Sequence, residues 1–215
     1  MVPSRPEYNP EPIFKVLNER KEWADSVDAE SMCPKPEWCD DALIHELVFS
    51  MFLWESTMEN AVRVMGKVHE QFVDYNDLRV SFPHEIEALL GSRYQRATDR
   101  CERLISVLGT IFYRHQRLTL AHLREMNKRE AREYLESLGS LPRFVISRIM
   151  LLGLDAHALP LDAKIARALH KAELIESSKN PDLIAASFEK VIRANQTLET
   201  YTRLERWLIS FENGS

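Results

Sequence analysis

The chain has 215 residues, 45% of them apolar, with only six glycines and a formal net charge of −5. That apolar share excludes a disordered chain and allows one large domain or two small lobes. The acidic total excludes nucleic-acid binding by overall charge alone, although a local cationic face can still serve. The charge is unevenly placed. Residues 1–62 carry 5 Lys/Arg against 13 Asp/Glu, and residues 63–215 carry 23 against 20.

The N-terminal "MVPSRPEYNPEP" is Pro-rich, reads as extended, and lacks the apolar core of a secretory signal. "IFKVLNERKEWADSV" reads as an amphipathic helix burying Ile13, Phe14, Leu17 and Trp23. A loop, "DAESMCPKPEWC", leads to "DDALIHELVFSMFLW", where an Asp pair opens a nearly all-apolar and therefore central helix. Its apolar run is far too short to span a bilayer, so the expectation is a soluble cytoplasmic protein without a membrane partner.

"STMENAVRVMGKVHEQF" predicts a helix capped by Ser56 or Thr57, with Val62, Met65, Val68 and Phe72 on one side. The chain should then bend through Asn76 and Asp77, restart near Pro83 and stop at Gly91. A long helix follows over 92–116, with Arg93, Arg96, Arg100 and Arg103 on a stripe interrupted by Asp99 and Glu102, as on a salt-bridged surface. Short helices are expected over 119–126 and 127–138, then further helices over 143–153, 162–172, 180–195 and 197–211. No segment alternates as a half-buried strand does, so the fold class is all-α.

The three cysteines, Cys33, Cys39 and Cys101, read as free thiols. The seven histidines include no metal-ligand spacing, and no metal or cofactor is expected. His45, on an apolar helix, reads as a satisfied core residue. Trp38, Trp54 and Trp207 read as core or interface anchors, and Tyr94 and Tyr113 as candidate contact residues.

From Asp41 to Leu169 the details resemble the endonuclease III-like superfamily of base-excision DNA glycosylases, which has a helix-hairpin-helix, a Gly/Pro-rich stretch and a following aspartate. "LGSLPRF" (138–144) stands where the family has a turn close to Leu-Pro-Gly-Val-Gly. "LPLDAKIARAL" (159–169) stands where it has a Val-Asp-Thr-His-like segment. "LVFSMFLWESTMENAVRVM" and "LLGSRYQRATDRCERLI" look like its early core helices, with Arg96-Ala97 in place of Lys-Ala.

The resemblance implies two helical lobes with a cleft between them. Residues 1–40 would be an extended segment and helix packing on the C-terminal lobe, 41–150 a barrel-like lobe ending in the hairpin, and 151–215 the lobe completing the cleft. It also implies removal of a damaged or mismatched base, with double-stranded DNA carrying a damaged or abasic nucleotide as the partner. Asp162 would be the catalytic carboxylate, and Gly139, Ser140, Leu141, Arg143, Lys164 and Arg167 would hold the DNA. Glu55, Phe144 and Tyr94 are the candidates for base pocket or wedge.

The departures narrow this reading. Only Gly139 remains of the expected turn glycines, and Pro142 removes an N–H. Phe144 occupies the position of the nucleophilic lysine of bifunctional members, and it cannot form a Schiff base, so lyase chemistry is not expected. No cysteine follows Cys101, so the family's iron–sulfur ligands are absent. Residues 139–171 hold five Lys/Arg against two acids, which suits a phosphate-facing surface or a solvated one. The alternative is an inactive DNA- or protein-binding module of the same fold, with the acidic N-terminal region as a candidate contact for a protein partner.

Overall fold

A computed structural model describes residues 8–19, 36–91, 94–176, 178 and 180–213. Among these, every regular element is helical. The chain falls into two compact units, Asp28–Ala156 and Met1–Val27 joined with His157–Ser215.

Helix α1 (Glu11–Glu19) starts behind Pro10 and buries Ile13 and Leu17. The rest of that expected helix, with Trp23, lies outside the described residues, as does Cys33.

Helix α2 (Ala42–Leu53) buries ten of its twelve residues and is the core of its unit. Asp41 caps it, accepting from Leu43 N at 2.9 Å, and its other oxygen takes Leu120 N and the Thr119 hydroxyl. A helix apolar on all faces must be surrounded. Helix α3 (Met58–Gln71) packs on α2. Thr57 caps it, and Ala61, Val64, Met65 and Val68 form its buried face. Val62, expected on that face, is 41% exposed, because it lies one residue round the turn from Ala61.

The bend expected at Asn76 and Asp77 is instead helix α4 (Tyr75–Val80). The Asp74 carboxylate accepts from Asn76 N at 2.7 Å and Asp77 N at 2.8 Å, which nucleates a turn where the residues alone suggested a loop. Helix α5 (Pro83–Leu90) begins on its proline and stops at Gly91, whose φ of +87° suits glycine. Helix α6 (Ala97–His115) starts later than its pattern suggested, because Arg96 turns left-handed at φ +54°. It packs on α2, α4 and α5.

The helix expected over 119–126 is a single 3₁₀ turn, Ala121–Arg124. Helix α7 (Lys128–Ser137) opens with a capping box between Asn127 and Glu130. Helix α8 (Arg143–Arg148) continues into a π-helical turn, Ile149–Gly153. Both lie against α2 and α7. A Cβ at Gly153 would overlap the end of the Leu43 side chain, which would have to shift to admit it.

The other unit contains α1, α9 (Ala163–Lys171), α10 (Pro181–Val191) and α11 (Thr197–Asn213). Asn180 caps α10 ahead of Pro181, and a 3₁₀ turn, Ala194–Gln196, leads into α11. Helix α11 packs on α1 and α9, and α9 on α10. Phe14 meets Phe188 edge-on, with ring centroids 5.6 Å apart.

Candidate functional site

The hairpin between α7 and α8 is made by Leu138–Pro142. Gly139 has φ +78°, and its N–H closes α7 by donating to Glu136 O at 3.1 Å. Pro142 sits at the N-cap of α8 and supplies no capping side chain, so the first-turn amides of α8 have no such acceptor. Leu141 is partly exposed and Arg143 exposed.

Helix α6 braces the turn from outside. Arg103 Nη1 donates to Ser140 O at 3.4 Å, and the Ser106 and Ser140 hydroxyls are 3.4 Å apart. Arg114 donates to Ser137 Oγ at 2.7 Å and to its backbone oxygen at 2.9 Å.

A second brace is buried. Arg148 Nε donates to Glu46 Oε1 at 3.0 Å and Ser50 Oγ at 2.9 Å, tying α8 to α2. Arg148 is only 2% exposed. It is one of the five cations of residues 139–171 expected on a phosphate-facing or solvated surface. It faces the core instead, because its helix buries every residue from Phe144 to Arg148.

In the other unit, Asp162 opens α9, accepting from Ile165 N at 2.9 Å, and is 5% exposed. The residues before it, Ala158, Leu159 and Leu161, are buried. Lys164 is ion-paired to Glu212 at 2.9 Å with a side chain 16% exposed, whereas Arg167 is exposed.

The three wedge or pocket candidates are all buried. Phe144 is 4% exposed, Glu55 8% and Tyr94 8%. None stands clear of the surface as a side chain entering a base stack must. Tyr94 donates to Phe52 O at 2.6 Å, and burial raises its phenol above the usual range. Glu55 holds a left-handed backbone, φ +53°, and pairs with Arg96 Nε at 3.4 Å. Tyr113 is 80% exposed.

The arginine stripe on α6 is divided. Arg96 and Arg103 both pair with Asp99, as a salt-bridged surface predicts, and Arg93 lies outside the described residues. Arg100 is fully buried, donating to the oxygens of Met51, Trp54 and Gln95. It thereby caps the C-terminus of α2, where a cation suits the helix dipole. The signal was present in the sequence, since Arg100 falls on the buried stripe of Leu104, Val107 and Ile111.

His45 is a satisfied core residue, its Nδ1 2.6 Å from the Tyr75 hydroxyl. Trp54 and Trp207 are buried, whereas Trp38 is 37% exposed and meets Tyr75 edge-on. The buried Cys39 thiol donates to Asp41 O at 3.3 Å, and burial pushes the Cys101 thiol up to about 12. Among the described residues no three His, Cys, Asp or Glu side chains converge as a metal site, and no helix is long and apolar enough to cross a membrane. One cavity of about 390 Å³ is lined by Phe14, Leu17, Gln196 and Arg203, and another of about 440 Å³ by Trp38, Asp41, Tyr75 and Arg117. Neither includes a candidate site residue.

No protein-family model matches the chain, and no curated protein matches it. Solved structures do. Endonuclease III trapped as a covalent intermediate with DNA superposes with a TM-score of 0.67 at 13% identity, over 92% of this chain and 84% of that one. The fold is that of the helix-hairpin-helix DNA glycosylases. The H. pylori 3-methyladenine DNA glycosylase bound to 1,N6-ethenoadenine matches at 0.62 and 15% identity, over 94% and 97% of the chains. The 8-oxoguanine glycosylase/lyase of Methanocaldococcus jannaschii matches at 0.53 and 16%, over 95% and 91%. Within this fold, α7, the 138–142 turn and α8 form a helical hairpin, and α9 is the helix that Asp162 opens.

Proposed function

We propose that this chain is a monofunctional DNA N-glycosylase of endonuclease III type, with Asp162 as its reacting carboxylate. The observation that carries the reading is Asp162 itself, an acid opening a helix just after a helix-hairpin-helix, in a chain with the glycosylase fold. The Gly139–Arg143 turn grips a phosphate through the first-turn amides of α8 and the Arg143 guanidinium, and Arg167 supplies a further cation. Lys164 joins them by exchanging Glu212 for phosphate.

The target nucleotide leaves the stack to be reached. As its C1′–N bond breaks, positive charge develops on the sugar. The Asp162 carboxylate stabilises that charge and orients a water, whose oxygen bonds to C1′. The base leaves with a proton, and an abasic site remains. Phe144 offers no amine, so the strand is not cut by β-elimination. Glu55 and Tyr94 remain candidates to shape the base pocket.

A second reading, an inactive DNA-binding module of the same fold, is favoured by one observation: Asp162 is nearly buried and engaged with its own helix. Duplexes carrying a panel of damaged and mismatched bases separate the two. The enzyme releases a free base from at least one duplex and Asp162→Asn does not. The inactive module leaves every duplex intact yet binds abasic DNA with an affinity that falls steeply with salt. A protein that touches no phosphate shows neither behaviour.

A further inference from the structure

The segment from His157 to Asp162 lies in no helix and is largely buried, and no strand lies beside it among the described residues. Its backbone groups therefore need partners from elsewhere. One comes from Glu189, which also holds a side chain of the segment. Glu189 Oε1 accepts from Leu159 N at 2.7 Å, and Glu189 backbone O lies 2.8 Å from His157 Nε2. A carbonyl oxygen only accepts, so Nε2 carries the proton, and Nδ1 lies 2.6 Å from the Thr197 hydroxyl, which donates to Arg193 O at 3.3 Å. Thr197 is fully buried at the start of α11.

Glu189 lies in the last turn of α10, where the helix dipole disfavours a carboxylate. An acid kept there is explained by the bond it makes. An ionised oxygen accepting a backbone N–H is a strong anchor, and this one lies three residues before Asp162.

We propose that Glu189, with His157 and Thr197, is a positioning residue that holds the 157–162 segment and so sets where the Asp162 carboxylate stands. The proposal rests on Asp162 being the reacting group. Three bonds fix the segment to the end of α10 and the start of α11, and the cap to Ile165 N fixes the aspartate to α9. Displacing a reacting group by about 1 Å costs roughly 10²-fold in rate, while binding to the hairpin does not depend on this segment.

The test compares Glu189→Ala with Glu189→Gln, whose amide oxygen still accepts the Leu159 N–H. Glu189→Ala should slow single-turnover base release by about 10²-fold without loosening abasic-duplex binding, and Glu189→Gln should restore most of the rate. An alanine variant at the wild-type rate overturns the proposal, as does a parallel loss of rate and binding, or a glutamine variant no better than alanine. If wild type releases no base, the glycosylase reading fails by itself. The clamp is then judged by amide hydrogen exchange. Faster exchange at both Leu159 and Ile165 in Glu189→Ala supports it, and unchanged exchange at Ile165 overturns it.

Discussion

Replacing Asp162 by Asn and by Ala separates its two roles. Asn and Asp cap helices about equally well, so Asp162→Asn keeps an oxygen for Ile165 N and should leave stability within a few tenths of a kcal/mol, about the resolution of such comparisons. Ala removes the acceptor. Ile165 is 4% exposed, so its N–H would be stranded away from water, and the loss should reach about 2 kcal/mol, the upper end for a cap. For a chain of this size that is a Tm lower by roughly 4–8 °C. Base release should fall in both variants by about 10²–10⁴-fold, the range for a positioned acid or base. Thermal unfolding and single-turnover excision, measured on the same preparations, check both parts. An Asn variant that excises at the wild-type rate would refute the catalytic role. An Ala variant with an unchanged Tm would refute the cap.

Other substitutions test the frame around the site. Arg148→Ala strands Glu46 beside the core and should cost about 3 kcal/mol in urea unfolding; a loss below about 1 kcal/mol would mean the pair contributes little. Gly139→Ala has open space for its Cβ, so only the left-handed backbone opposes it, at about 1–2 kcal/mol. Its abasic-DNA affinity should fall while base release from bound duplex changes less. Burial holds the His69 and His122 imidazoles below their usual 6.5, helped by His45 beside the first and His115 beside the second. The unfolded chain therefore takes up more protons below pH 6.5, and the stability these neutral rings contribute is full above 6.5 and lost as pH falls beneath it. Urea midpoints should drop between pH 7 and 5.5, less steeply in His122→Phe, and equal slopes would rule His122 out as a source.

Local chemistry was legible in the residues because it acts over three or four positions. The apolar run of α2, the Thr57, Asn127 and Asn180 caps, the stop at Gly91 and the turn at Gly139 all depend on neighbours along the chain. The resemblance that pointed to Asp162 rested on the same short-range spacing. What the sequence left open depends on partners far along the chain. Arg148 turns inward because Glu46 and Ser50 wait on α2, and Arg100 because the end of α2 exposes carbonyls. Asp74 made a helix of an expected bend. The Glu189 grip on Leu159 joins residues thirty positions apart, and no periodicity encodes such a pair. A charged side chain meets water or a buried partner according to what the folded chain brings beside it, and only the tertiary structure decided that.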